Sequence, residues 1–314
     1  MKERGEDSSN EIVLSIVTSC YSNLRLKFLA ELLESISRQT CSKIETVVVV
    51  DGPDTLYYEV VRVVGEKNPK NPLILRLNGG RGVSASRNLG FSRSSGMYVG
   101  FVDDDVVLEN SWAANVIKHF QALDEVGAIA GAAEPLWERI EDSWLPKELY
   151  WIISCTGWYK FEFAEVRNMW TMNSAVQRTE FELAKGFDVS LGPRMGRESG
   201  YASIAEDLEF SLRLRSLGSK ILFAPDINCK HHVQHSQTTF EYILKRSLWI
   251  GRSRRLLFAR GVENYTERVT LVSMSKALLG RRRGTSPYGR PNNLRATLAV
   301  LVAFLGLAVG YLAG

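Results

Sequence analysis

The chain is predicted to be an α/β protein built on a mostly parallel sheet with helices on both faces, followed by membrane-associated helices and one transmembrane helix. Three features predict this. Short β-branched runs alternate with amphipathic stretches, polar or acidic residues follow the ends of those runs, and the chain closes on a long uncharged segment.

The first run covers 12–17 (IVLSIV) and the second 46–50 (VVVV follows Thr46), and between them LKFLAELLESISRQ carries Leu29, Leu32, Leu33 and Ile36 at helical spacing. The alternation continues with a helix over 55–64, a strand over 73–77, a helix near 84–94, a strand over 98–102, a helix over 110–123 and a strand near 127–131. Sheets of this kind bind ligands beyond the carboxyl ends of their strands. There the sequence places Ser19 after the first strand, Asp51 after the second, and Asp103, Asp104 and Asp105 after the fourth.

The 314 residues are 45% hydrophobic and 24% charged, which excludes a disordered or collagen-like chain and leaves enough apolar material for a core without disulfides or structural metal. A net charge of +4 is too mild to signal a nucleic-acid binder, and no groove-reading motif accompanies it. Cys20, Cys41, Cys155 and Cys229 form no CxxC pair, and the first 30 residues lack the apolar core of a secretory signal. Reduced, cytosolic thiols are expected.

Residues 296–314 (ATLAVLVAFLGLAVGYLAG) carry no charge and, as a helix, would span about 28 Å, close to the thickness of a hydrocarbon core. A single tail anchor is the reading; a buried C-terminal helix is the alternative. Arg281, Arg282, Arg283, Arg290 and Arg295 precede it without an acid, which keeps the large N-terminal part on the cytoplasmic side. Before these, TFEYILKRSLWIGRSRRLLFARG mixes six basic residues with Trp249, Ile250, Leu256, Leu257 and Phe258, and suits either an anionic membrane surface or a solvated helix packed on the domain. The chain thus divides into a flexible N-terminus (1–10), a catalytic α/β domain (11–236), a basic membrane-proximal region (237–295) and the anchor (296–314).

In GMYVGFVDDDVVLEN a strand delivers three consecutive carboxylates to the sheet edge. Such a cluster repels itself unless a cation sits in it, and hard oxygen ligands suit Mg²⁺ or Mn²⁺, which also bridge phosphate oxygens. A solvated acidic turn is the simpler alternative. Gly80, Gly82 and Ala85 fit a dinucleotide G-x-G-x-x-A, but they follow the third strand rather than the first and lie beside Arg81 and Arg87. A second acidic group, Glu206, Asp207 and Glu209, opens a helix in AEDLEFSLRLRSLG; it serves the helix dipole, or it leaves one carboxylate free to take a proton from an acceptor hydroxyl. Five of seven tryptophans, Trp137, Trp144, Trp151, Trp158 and Trp170, fall in one stretch that suits core packing, sugar stacking or a membrane belt. Cys229, His231, His232 and His235 match no usual zinc spacing.

From about Ile12 to His232 the sequence resembles the family 2 glycosyltransferases of the GT-A fold. The elements that carry the likeness are TSCYS, VVVVDGPD, NGGRGVSASRNLGFSRSSGMYVGFVDDD, NSAVQRTEFELAKGFD and AEDLEFSLRLRSLGSKILFAPD followed by a His, in that order. WLPKELYW and SCTGW are similar to archaeal membrane-bound transferases that extend lipid-linked glycans. The resemblance implies a GT-A type sheet and an inverting, metal-dependent sugar transfer from a UDP-sugar donor. From the expected membrane location the acceptor is inferred to be a lipid-linked saccharide on a dolichyl or polyprenyl phosphate, at the cytoplasmic face of the cell membrane. It implies donor contacts at Ser19, Tyr21, Asp51, Arg87, Asn88, Asp103 and Asp104, with Asp105 and one of His231 and His232, here His231, at a Mn²⁺ or Mg²⁺ ion. It makes Asp207 the catalytic base, and Glu206, Trp144 and Trp151 are assigned to the acceptor. Ser19 and Cys20 stand where many relatives have Pro and Thr, which leaves donor choice open. A soluble or polysaccharide acceptor, and an inactive sugar- or partner-binding module at the membrane, are the alternatives.

Overall fold

Runs of Val and Ile suit strands covered on both faces, and the computed structural model shows four of them side by side. β1 (Leu14–Cys20), β2 (Ile44–Asp51), β3 (Pro72–Leu77) and β4 (Tyr98–Val102) pair in parallel in the order β3-β2-β1-β4. The structure describes residues 11–77, 79–123, 125–156, 163–193, 204–261 and 293–313. The expected flexible N-terminus, Trp158 and the arginines at 281–283 and 290 lie outside these residues.

The pleat sorts the strand side chains between two cores. On one face Leu14, Ile16, Val48 and Val50 meet α1 (Leu26–Ser37), α2 (Asp54–Lys67) and α4 (Trp112–Ala122), and the expected stripe of Leu29, Leu32, Leu33 and Ile36 is buried there. On the other face Val17, Val47, Val49 and Phe101 meet Phe91 of α3 (Val83–Arg93), Phe181 of α5 (Arg178–Leu183) and Phe210 of α6 (Glu206–Ser216). Stacked and edge contacts among Phe91, Phe181, Phe187 and Phe210 close this second core.

The second half of the sheet is mixed. β8 (Asn173–Gln177) enters antiparallel between β4 and β6 (Val126–Trp137), whereas β6 and β9 (Lys220–Val233) run parallel. The short β5 (Val106–Leu108) and β7 (Ala164–Glu165) both pair antiparallel with β9. Buried Asn173 ties this junction: its Nδ2 donates to Ala132 O (2.7 Å) and Ile227 O (3.0 Å), and its Oδ1 accepts from Trp112 Nε1 (2.7 Å). The mostly parallel expectation therefore holds for β1 to β4, and β8 breaks it because a long connection, rather than a helical crossover, returns the chain.

Two helices complete the chain. α7 (Phe240–Ala259) starts at Thr239, whose Oγ1 accepts from Tyr242 N at 3.2 Å. α8 (Asn293–Ala313) is long and apolar enough to cross a membrane, and about a third of its most apolar stretch is buried against the protein. The two helices run side by side through small residues: Ser247 Cβ would lie 2.7 Å from a Cβ placed on Gly306, and Gly251 and Gly310 allow equally close backbone contact with Leu307 and Leu248. Ala299, Val300 and Ala303 of α8 pack on Trp144, Leu149, Ile152 and Ile243, which leaves Leu298, Leu301, Leu305, Val309 and Leu312 as one exposed apolar stripe.

Candidate active site

The carboxyl ends of β1, β2 and β4 converge on one edge. Tyr21, just past β1, and Asp51, the last residue of β2, line a cavity of about 430 Å³ together with Gly52, Pro53, Arg76, Gly79 and Gly80. Ser19 sits two residues earlier, on β1 opposite Val49. The Asp51 carboxylate accepts the backbone N–H groups of Arg81 (3.1 Å) and Gly82 (2.8 Å), so the glycine turn that leads into α3 is pinned to the floor of this cavity. Gly82 holds a φ of 93°, a backbone conformation that side chains with a Cβ rarely adopt.

β4 ends on Asp103, Asp104 and Asp105, and the structure distributes them among three cations. Arg87 of α3 donates to Asp103 (2.9 Å) and, at 3.3 Å, to Glu206 at the start of α6. Arg25 grips buried Asp104 through Nε (2.7 and 2.8 Å) and Nη2, and its Nη2 also lies 2.7 Å from Asp105 Oδ2. His231 Nε2 lies 3.4 Å from Asp105 Oδ1. Burial and the neighbouring Asp105 and Asp103 push the Asp104 carboxyl up to about 7 against the pull of Arg25. Asp105 is half-buried, and although its partial burial works the other way, His231 and Arg25 hold its carboxyl well below the usual carboxylate range. Burial disfavours the charged imidazole of His231, but Asp105 outweighs it and raises that group well above its ordinary value.

The adjacent histidines separate as the pleat requires. His231 is buried and turned to Asp105, with Cys155 Sγ 3.9 Å from its Nδ1. His232 faces the other way, pairing with Glu31 (2.9 Å) and packing on the Phe28 ring (4.7 Å). His235 bonds Asp142 at 2.8 Å. The inward histidine is thus His231.

The residues present fit a divalent ion. Asp105 Oδ1 is buried with no hydrogen-bond partner and faces His231 Nε2, which on losing its proton as an ion enters would complete an oxygen and nitrogen donor pair that suits Mn²⁺ or Mg²⁺. Among the described residues no three His, Cys, Asp or Glu side chains converge on one point, so a bound ion would draw further ligands from water and phosphate oxygens, as Mg²⁺ commonly does.

Asp207 lies in the first turn of α6, beside Glu206, where Leu208 N donates to its Oδ1 at 2.7 Å. Burial, then Glu206, raise its carboxyl to about 7 against the opposing charges of Arg254 on α7 and Arg87. A carboxylate poised near neutrality is suited to general-base chemistry.

Other expected residues sit elsewhere. Both polar ends of Asn88 are taken up by the Phe187 backbone, each at 2.9 Å, so here it fixes the turn that follows α5. Trp144 and Trp151 belong to the apolar cluster beneath α7 and α8, and Arg295 stacks 3.9 Å above the Trp144 ring. Arg25 escaped the sequence reading, although its place just past β1, on the ligand-binding edge of the sheet, was the available signal.

A strand-ordered acidic edge, a cavity at the glycine turn and a second acidic helix define a GT-A type transferase fold. A mannosyltransferase from Pyrobaculum calidifontis, PcManGT, solved in complex with GDP-Man and Mn²⁺, superposes with a TM-score of 0.57 at 17% identity, over 98% of this chain and 77% of that one. Residues 15–182 match glycosyl transferase family 2, and the chain belongs to that family. A glucosyl-dolichyl phosphate glucuronosyltransferase of Haloferax volcanii is 27% identical over 247 residues, 78% of this chain and 77% of that protein. The succinoglycan biosynthesis protein ExoM of Rhizobium meliloti is 25% identical over 186 residues, 56% of this chain and 53% of the other.

Proposed function

We propose that this glycosyltransferase moves a sugar from a UDP-sugar donor to a lipid-linked saccharide, a dolichyl or polyprenyl phosphate glycan, at the cytoplasmic face of the cell membrane, with inversion at the anomeric carbon. The observation that carries the reading is Arg87, whose single guanidinium holds both Asp103 and Glu206 and so brings the two acidic motifs to one point. The donor nucleoside lies in the cavity of Tyr21 and Asp51, with its ribose toward Asp103 and its diphosphate beside the ion position at Asp105. Asp105 and His231 would hold Mn²⁺ or Mg²⁺, which would supply charge neutralisation for the departing diphosphate. Asp207 takes the proton from the acceptor hydroxyl as that oxygen attacks.

Support for a lipid acceptor comes from the name of the Haloferax relative and from α8, whose exposed apolar stripe anchors the chain beside lipid. A polysaccharide acceptor is the second reading, favoured by the succinoglycan relative. The test is UDP release with Mn²⁺ in wild type and Asp207→Asn, with UDP binding as control, using lipid-linked and free saccharides as acceptors. Transfer to lipid-linked acceptors alone supports the first reading. Equal turnover of the two proteins removes Asp207 as base, and no turnover with any pair leaves a binding module.

A further inference from the structure

The 3.6-residue period divides α7 into faces. Leu244, Ser247, Leu248 and Gly251 approach α8. Ile243, Ser253 and Leu257 face the protein: Ser253 Oγ accepts Ile204 N at 2.8 Å, and Leu257 packs with Ala205 and Leu208 just ahead of and behind the acidic pair of α6. At about 100° per residue Arg246 projects between Ser253 and Leu257, on the protein side, about 10 Å nearer the start of α7 than Ser253.

That position is costly for a cation. Arg246 Nε is buried and finds no hydrogen-bond partner among the described residues, whereas Arg25, Arg87 and Arg213 each hold carboxylates. Arg246 as a whole is half-buried, so the partner that is missing is at the covered Nε edge of its guanidinium. Trp151 packs against the cluster that contains Ile243 and Tyr242, one turn of α7 before Arg246, and its indole Nε1 is likewise buried and without a partner. Both groups are donors only, so what is missing is an acceptor of hydrogen bonds with negative charge. The same helix, eight residues and about 12 Å further on, carries Arg254, whose charge acts on Asp207.

We infer that Arg246, with the indole of Trp151 from the cluster that packs on the start of the same helix, forms the subsite for the phosphate group of the acceptor. The inference rests on the transferase reading and names the anchor for its second substrate. The planar guanidinium matches a phosphate, and the spacing along α7 leaves room for the saccharide between that phosphate and the hydroxyl at Asp207.

The full chain in detergent tests this with farnesyl phosphate as probe, read by tryptophan fluorescence and calorimetry. Wild type binds farnesyl phosphate more tightly than farnesol. Arg246→Gln loses about 10–100-fold in affinity for the phosphate but not for farnesol, Arg246→Lys recovers part of the loss, and Trp151→Phe, which keeps the ring and deletes the donor, loses less than Arg246→Gln. Equal farnesyl phosphate affinity in wild type and Arg246→Gln, with both melting alike, overturns the subsite. So does an equal loss of binding to phosphatidylglycerol vesicles, which would make Arg246 a general lipid contact. Wild type that binds farnesyl phosphate but no UDP with Mn²⁺ would sink the transferase reading and keep the phosphate subsite.

Discussion

Replacing Glu206 with Gln tests the reasoning about the base without removing the base. The Asp207 carboxyl stands near 7 first because it is buried and second because Glu206 lies beside it, while Arg254 and Arg87 pull the other way. A base works only when deprotonated, so wild-type turnover should fall about tenfold per pH unit below 7 and level off above about 8. Gln keeps the oxygen that faces Arg87 and deletes the like charge, so the acid limb should move to lower pH while the plateau stays. Asp207→Asn should lower the plateau itself by about 10²–10⁴, equivalent to about 3–5 kcal/mol of transition-state stabilisation. Linkage has the matching sign: the folded protein holds the Asp207 proton more tightly than the unfolded chain, so this stabilisation is complete below the ordinary carboxylate range and fades as pH rises through 7. The assay is UDP release from pH 5 to 8.5 at saturating Mn²⁺, with calorimetric UDP binding to confirm an intact donor site. An acid limb that stays in place or moves upward in Glu206→Gln, or an unchanged plateau in Asp207→Asn, would refute the assignment.

Arg25→Met removes the cation shared by Asp104 and Asp105; loss of one member of a buried pair costs about 3–5 kcal/mol, and because 22% of the Arg25 side chain remains accessible and Asp104, already up to about 7, can take a proton, the lower end is expected in denaturant unfolding. His231→Ala should weaken Mn²⁺ binding in the presence of UDP, measured by electron paramagnetic resonance, whereas His232→Ala, which loses the half-exposed Glu31 pair, should bind Mn²⁺ like wild type. Gly310→Val puts branched carbon against the Leu248 carbonyl and should lower stability by about 1–3 kcal/mol, but Gly65→Ala, with open space around it in α2, should raise it by a few tenths to about 1 kcal/mol in the same thermal melts.

What was legible in the sequence was what local pattern can encode. β1 to β4 and α1 to α4 fell close to their expected spans because β-branched runs and a 3.6-residue stripe each have one stable packing on a covered sheet. The carboxylates of β4 and α6 also stood out, since charges at a strand end demand partners. Contacts made across the fold were not legible. β8 has five residues, two of them apolar, and its antiparallel place depends on Asn173 meeting Trp112 and Ala132 from distant segments. Gly306 and Gly310 would weaken an isolated helix, and in the fold they are the surface that lets α7 come close. Arg25 shows the same limit at the site itself. Three adjacent aspartates implied a cation, yet the structure meets most of that demand with protein: Arg25 neutralises Asp104 and one oxygen of Asp105, and Arg87 takes Asp103. One buried carboxylate oxygen, Asp105 Oδ1, is left facing His231 without a hydrogen bond. The acidic motif therefore does not offer three equivalent ligands. Two aspartates serve to hold arginines in place, and the third is turned so that a single oxygen faces a single imidazole nitrogen, the pair that would hold an ion under the proposed function.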